Sequence, residues 1–319
     1  MKLFFMRAMV WPFLLFFATY AAFPCSEAMG GQNVRSPVVA GVFYPSSPTQ
    51  LRNTVTKLLD SVPQIKPAGS IVGALAPHAG YVFSGAVAAY THKLLSFVHF
   101  DTLIIIGHDT YADAVALTCP VDYFRTPLGK VPVDREMMEK LHESHSGIKP
   151  HRPIHERDHT IEVHLPFLQA MGRQCKILPI LFGSPTVSHC QILSDAIRAA
   201  AGKKRIFLLA STDMSHYPSY EAACNIDAST LEVLQSLDVE KLFAHLKARE
   251  RERSIPNLQT ALCAKGAVGT TIFFAKASGA DALQILRYAN SGDVPQGDKH
   301  QVVGYCSALM VKTPASTSR

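Results

Sequence analysis

The 319-residue chain is 48% hydrophobic and 18% charged, enough apolar material for a sizeable core and too little charge for a widely disordered polymer. Its formal net charge of +6 comes mostly from dispersed Lys and Arg. The one dense run, Lys247-Ala248-Arg249-Glu250-Arg251-Glu252-Arg253, alternates in sign and reads as a solvated helix end, so no nucleic-acid partner is expected.

At the N-terminus, Lys2 and Arg7 precede an uncharged stretch from Ala8 to Pro24, and Ser26-Glu27-Ala28 supplies a small-x-small cleavage site. That layout predicts a signal peptide over residues 1–28 and an exported, periplasmic protein. Two alternatives stay open: an uncleaved N-terminal membrane anchor, or a cytoplasmic protein started at Met29. The stretch is interrupted by Pro12 and short for a membrane span, and no later segment is long and apolar enough to cross a bilayer.

Beyond Val38–Tyr44, Ser46-Ser47-Pro48 leads into a helix over 50–59. A strand over 71–76 ends in Pro77-His78-Ala79-Gly80-Tyr81, and Ser84 caps an alanine-rich helix to Leu95. A strand over 102–106 runs into Gly107-His108-Asp109, followed by a short strand at 114–118, a helix over 134–142 and a polar loop over 147–158. The segment His159-Thr160-Ile161-Glu162-Val163-His164 is expected on a helix that continues towards Gln169. Strand 176–182, helix 187–201 and strand 206–210 follow, the last ending in Ser211-Thr212-Asp213-Met214-Ser215-His216. Two helices fill 220–248, a further helix from about 258 to 277 carries Cys263, and strands at 284–289 and 301–311 close the chain. This alternation predicts one layered α/β domain over residues 36–312, with a central, largely parallel sheet and helices on both faces.

In such sheets ligands bind beyond the carboxyl ends of the strands, and here three strands end in histidine-bearing segments. Pro77 fixes the backbone before His78, while Ala79-Gly80 leave room beside its imidazole, which suits a metal ligand or a catalytic base. His108 follows a buried strand directly and divides evenly between site and structural readings. Helical spacing would place His159 and Glu162 on one face, either as proton carriers or with Glu162 orienting a neighbouring histidine. Asp213 and His216 share one turn, as a cap onto the next helix or as a carboxylate polarising an imidazole. Cys263, taken alone, reads as core packing. No two of the seven cysteines form a CxxC pair, so a zinc ribbon is not expected, and their scatter fits disulfides and free thiols equally. Neither a G-x-S-x-G elbow nor a Walker or Rossmann glycine pattern occurs.

Several of these segments together resemble the Memo family, known in bacteria and archaea as protein B of the AmmeMemoRadiSam system. They are Ala76-Pro77-His78-Ala79-Gly80-Tyr81-x-x-Ser84-Gly85, Tyr123-x-Arg125-Thr126-Pro127-Leu128, Asp158-His159-Thr160-Ile161-Glu162-Val163-His164-Leu165-Pro166, Ser211-Thr212-Asp213-Met214-Ser215-His216 and the Cys263 segment. The resemblance implies the fold of the class III extradiol ring-cleaving dioxygenases and a metal pocket of His78, His108 and Cys263 surrounded by His159, Glu162, Asp213 and His216. Two departures matter. The family writes its second histidine in a Gly-Pro-x-His turn, so Thr110 competes with His108 for that position. Lys265 follows Cys263 closely, and could favour the thiolate or repel a cation.

Two imidazoles and a thiolate suit Fe(II), Cu or Zn better than Mg or Ca. The leading expectation is a metal-binding, redox-type pocket resembling a non-haem iron dioxygenase site. Against it stand a non-catalytic module that binds a small molecule or peptide in the inherited pocket, and a metal-assisted hydrolase using Asp213 or Glu162.

Overall fold

The apolar runs Leu103-Ile104-Ile105-Ile106 and Phe207-Leu208-Leu209-Ala210 are buried throughout in a computed structural model of the chain, which describes residues 33–251 and 255–314. Both faces of these strands are covered, which is why their sequences show no polar alternation. In chain order the first half comprises β1 (Val34–Arg35), α1 (Pro48–Ser61), β2 (Ser70–Ala76), α2 (Ala86–Leu95), β3 (Thr102–Asp109), β4 (Ala116–Thr118), β5 (Tyr123–Thr126) and β6 (Gly129–Pro132). Then come α3 (Arg135–Ser144), β7 (Ile148–Pro150), α4 (Arg152–His155), α5 (Leu165–Ala170), β8 (Lys176–Phe182) and α6 (Val187–Ala201). The last third contains β9 (Ile206–Ser211), α7 (Tyr220–Gln235), α8 (Val239–Arg251), α9 (Lys265–Ala277), β10 (Ala282–Asn290) and β11 (Gly304–Lys312).

Eight strands form one sheet in the order β10-β11-β2-β9-β3-β8-β4-β7. The centre, β2-β9-β3-β8, is parallel, while β10, β11 and β4 add antiparallel pairs towards the edges. Helices cover both faces. A Cβ at Gly73 would meet Thr271 and Ala275 of α9 at 3.1 and 3.5 Å, whereas Ser307, on the opposite face of β11, donates to the Val87 carbonyl of α2 at 2.5 Å. The architecture is therefore the expected α/β layering with a largely parallel sheet. The described residues form one compact unit, the expected signal segment 1–28 lies outside them, and among them no helix is long and apolar enough to cross a membrane. All six described cysteines are free thiols.

Two expected helices begin later than their periodicity suggests. Over 159–164, the Asp158 carboxylate accepts the N–H groups of Thr160 and Ile161 at 3.1 and 3.0 Å, and this turn delays the helix until a single 3₁₀ turn at Glu162–His164 and then α5. The segment expected as a polar loop over 147–158 contains β7 and the short α4. Helix α9 starts at Lys265, seven residues later than expected, because 258–264 is drawn into extended contacts with the chain after β9.

Glu162 closes a buried polar knot that ties the N-terminal segment to the sheet. Its carboxylate takes the Arg35 guanidinium, the Tyr44 hydroxyl and the backbone N–H groups of Val38 and Val39, the last two at 2.8 and 3.1 Å. Arg35 also donates through Nε to the His155 carbonyl at 3.0 Å and lies over the Phe124 ring at 5.1 Å. Both charged side chains are essentially inaccessible, so removing one would strand the other in the interior. Glu162→Ala is expected to lower the unfolding free energy by about 3–5 kcal/mol in urea denaturation at neutral pH.

His155 supplies a pH signature for the same region. It is buried, its Nε2 donates to the Leu117 carbonyl at 3.0 Å, and burial pushes its pKa from 6.5 down to about 4. Because the folded value lies below the unfolded one, the stabilisation is complete above pH 6.5 and is lost as pH falls towards 4. The stability advantage of wild type over His155→Gln should shrink by about 1.4 kcal/mol per pH unit across that window, read from urea midpoints at successive pH values.

Candidate functional site

Strands β2, β9 and β3 are adjacent and parallel, so their carboxyl ends meet at one edge of the sheet. His78 follows β2, Asp213 and His216 follow β9, and His108 is the penultimate residue of β3. His108 therefore lies within a strand, at an irregularity of the β3–β8 register between Gly107 and Asp109. Gly107 is required there, since a Cβ would come within 2.2 Å of Thr160 Oγ1.

Cys263 joins this edge because 258–264 is extended. The His216 N–H donates to the Thr260 carbonyl at 2.9 Å, the Gln259 N–H to the His216 carbonyl at 3.1 Å, and the Cys263 N–H to the Asp213 carbonyl at 3.2 Å. These bonds bring Cys263 Sγ to 3.4 Å from His78 Nε2, while the Asp213 N–H donates to the same sulfur at 3.2 Å. Asp213 Oδ1 accepts the His78 backbone N–H at 2.8 Å, and Oδ2 stands 3.8 Å from His78 Nε2 and 4.0 Å from His216 Nε2. His216 Nε2 is buried and has no hydrogen-bond partner among the described residues. His159 is the ring that touches both outer histidines, edge-on to His78 at 5.5 Å and stacked on His108 at 6.4 Å, with Phe43 against it at 4.9 Å.

Desolvation sets the electrostatics. Burial holds the imidazoles of His78, His159 and His216 below the usual histidine range, so they are neutral at neutral pH. It also lifts the Asp213 carboxyl to about 6 and the Asp109 carboxyl to about 7. Asp109 accepts the Gly266 N–H at 3.1 Å and thereby pins the start of α9 to β3. Lys265 does not favour a Cys263 thiolate. Its ammonium pairs with Glu250 at 3.5 Å, and burial, reinforced by the Asp213 charge, pushes the Cys263 thiol well above its ordinary value.

The seven residues singled out from the sequence divide into two groups. His78, Cys263, Asp213 and His216 converge, with His159 packed on His78. His108 is more open, and its Nδ1 lies 3.4 Å from Asp158 Oδ1 and 3.5 Å from Thr160 Oγ1. Thr110, the competitor for its position, donates to the Phe182 carbonyl at 2.9 Å. Glu162 is committed to Arg35, Tyr44 and two backbone N–H groups. Among the described residues, no three His, Cys, Asp or Glu side chains stand as a ready metal-ligand set. Sequence reasoning noted Asp109 beside the histidines but gave no supporting role to Asp158, Ser211, His92 or His164. One signal was available, since His92 sits in the apolar helix Ala86-Val87-Ala88-Ala89-Tyr90-Thr91-His92, where a buried imidazole demands a polar partner.

An α/β sheet whose carboxyl edge gathers two histidines, an aspartate and a cysteine defines the class of protein. The chain belongs to the Memo family: residues 35–309 match the family described as Memo-like protein. It is 33% identical over 280 residues to a MEMO1 family protein of Archaeoglobus fulgidus, covering 86% of this chain and 99% of that relative. A MEMO1 family protein of Sulfolobus acidocaldarius is 35% identical over 289 residues, covering 86% and 98% respectively. Another from Nitrosopumilus maritimus is 31% identical over 278 residues, covering 85% and 98%.

Cys263 is partly accessible yet strongly held as the thiol, which separates exposure from reactivity. In metal-free protein its alkylation by iodoacetamide should accelerate about tenfold per pH unit from pH 8 to 10 without a plateau, as followed by peptide mass spectrometry. A plateau below pH 9 would show a stabilised thiolate.

Proposed function

We propose that the pocket of His78, Cys263, Asp213 and His216 holds a divalent or redox metal, Fe(II), Cu or Zn, and that the protein is a redox-type member of its family with a dioxygenase-like site. The observation that carries this reading is that Cys263 Sγ and Asp213 Oδ2 stand 3.4 and 3.8 Å from His78 Nε2, beside a buried His216 Nε2 that lacks a hydrogen-bond partner among the described residues. A nitrogen and a sulfur 3.4 Å apart fit one coordination sphere, because bonds of about 2.0–2.1 Å to nitrogen and 2.3 Å to sulfur span such an edge at tetrahedral angles. The donor set is soft to borderline, which favours Fe(II), Cu or Zn over Mg or Ca. When bound, such an ion supplies Lewis acidity and, if iron or copper, a redox couple.

The chain's own residues divide the remaining work. His78 is neutral and presents Nε2 to the pocket, while Cys263 must give up its proton to serve as a ligand. Asp213 turns a carboxylate oxygen towards His78, the thiol proton leaves to solvent as the metal binds, and His159 walls the pocket against His78. In this reading His108 orients from beyond His159 instead of ligating, and Glu162 anchors the N-terminal segment instead of carrying protons.

The test is anaerobic loading of purified, metal-stripped protein with Fe(II), Cu or Zn, followed by elemental analysis. About one ion per chain is expected for wild type. His78→Ala and Cys263→Ser should weaken retention by more than the roughly 10–100-fold that loss of a supporting partner costs, with His108→Ala inside that range. Oxygen uptake with a catechol then checks the dioxygenase-like step. Wild-type protein that retains no ion defeats the reading.

A further inference from the structure

Behind His78, on the side away from Cys263, four buried side chains form an unbroken hydrogen-bonded file. His92 Nε2 lies 3.0 Å from His164 Nδ1, His164 Nε2 lies 2.9 Å from Ser211 Oγ, and Ser211 Oγ lies 2.9 Å from His78 Nδ1. None of His92, His164 and Ser211 is accessible to solvent, and His78 is 4% exposed. The file starts on α2, crosses the 3₁₀ turn before α5 and the end of β9, and finishes at the pocket. Neither the proton carriers nor the metal ligands suggested by the sequence include His92, His164 or Ser211.

The direction of every bond in the file follows from one oxygen. Ser211 also contacts the Thr160 carbonyl at 2.6 Å, and a carbonyl can only accept, so the single hydroxyl proton goes there. Ser211 Oγ must then accept from both imidazoles, which places a proton on His78 Nδ1 and another on His164 Nε2. A neutral imidazole carries one proton, so His164 Nδ1 is bare and must accept from His92 Nε2. His92 Nδ1 is consequently bare as well, in agreement with its being buried without a partner among the described residues. At the other end, His78 Nε2 is left with its lone pair facing the Cys263 thiol at 3.4 Å.

We propose that Ser211, His164 and His92 are positioning residues whose file, polarised by the Thr160 carbonyl, locks His78 as the Nδ1–H tautomer and holds its Nε2 lone pair towards Cys263 and Asp213. The alternative tautomer would put a proton on the pocket side and leave Nδ1 and Ser211 Oγ as two acceptors facing each other, at the cost of a buried hydrogen bond. His92 adds rigidity, since its ring stacks on Phe167 with centroids 4.5 Å apart and planes 4° from parallel. The file would equip His78 to accept a proton or a metal with no rearrangement, and it holds irrespective of whether a metal binds.

The experiment is long-range ¹H–¹⁵N spectroscopy of the full-length, metal-free protein labelled with ¹⁵N-histidine, at pH 7.5. The three rings are assigned by the peaks lost in His78→Gln, His92→Gln and His164→Gln. The expected pattern is a protonated Nδ1 and bare Nε2 for His78, with the reverse for His92 and His164. In Ser211→Ala, His78 Nδ1–H has no acceptor, and its signature should shift to the Nε2–H form or to a mixture. A wild-type His78 protonated at Nε2, or an unchanged His78 signature in folded Ser211→Ala, would overturn the proposal. Should Ser211→Ala not fold, the wild-type pattern decides alone, since any other combination of tautomers contradicts the file.

Discussion

The constraint on which the rest of the structure depends is the parallel register of β2, β9 and β3. Pairing Ala76 with Ser211 and Ile106 with Ala210 brings the carboxyl ends of three strands level, within one edge of the sheet. Gly73 and Gly107 sit where a Cβ would crowd Thr271 at 3.1 Å and Thr160 at 2.2 Å, so a slip of register that set a larger side chain there is disfavoured. With the ends level, His78, Asp213 and His216 emerge side by side. The backbone N–H of His78 reaches the Asp213 carboxylate directly, coupling the two loops.

A second layer of constraint comes from polar groups that the fold buries. Glu162 with Arg35, Asp158 with Thr160 and Ile161, and Asp109 with Gly266 each satisfy backbone or side-chain donors where water cannot reach. These carboxylates do architectural work around the pocket: the first anchors the N-terminal segment, the second shapes the turn bearing His159, and the third fixes α9 behind Cys263. The same desolvation acts in opposite directions on the two chemical types, lowering the histidines and raising Asp109 and Asp213. Its result is a pocket of neutral imidazoles beside carboxyls that titrate near neutrality.

Much of the fold was legible in the chain because it rests on local, repeated signals. Unbroken apolar runs marked β3, β8 and β9, and the turn residues after them marked the edge where the site forms. His78, Asp213 and His216 could be singled out because each lies within a few residues of such a strand end. What misled was helical periodicity at 159–164 and 258–264, where residue pattern favours a helix but tertiary partners intervene. Asp158 captures the first backbone, and the His216 segment captures the second.

The sequence by itself determined the layered α/β plan, the parallel core and the family, since these follow from hydrophobic runs and motifs read within one segment at a time. Only the tertiary structure decided which polar groups meet. Cys263 is 185 residues from His78, and Glu162 is 127 residues from Arg35, so no local signal could pair them. The surroundings of Glu162 and His108 follow from such meetings: the Glu162 carboxylate is enclosed by donors from the N-terminal segment, and His108 Nδ1 lies 3.4 Å from Asp158. The file from His92 to His78 likewise exists only because α2, the turn before α5 and the end of β9 pack together. Their burial removes water as a competing partner, leaving each nitrogen to be matched by a neighbour.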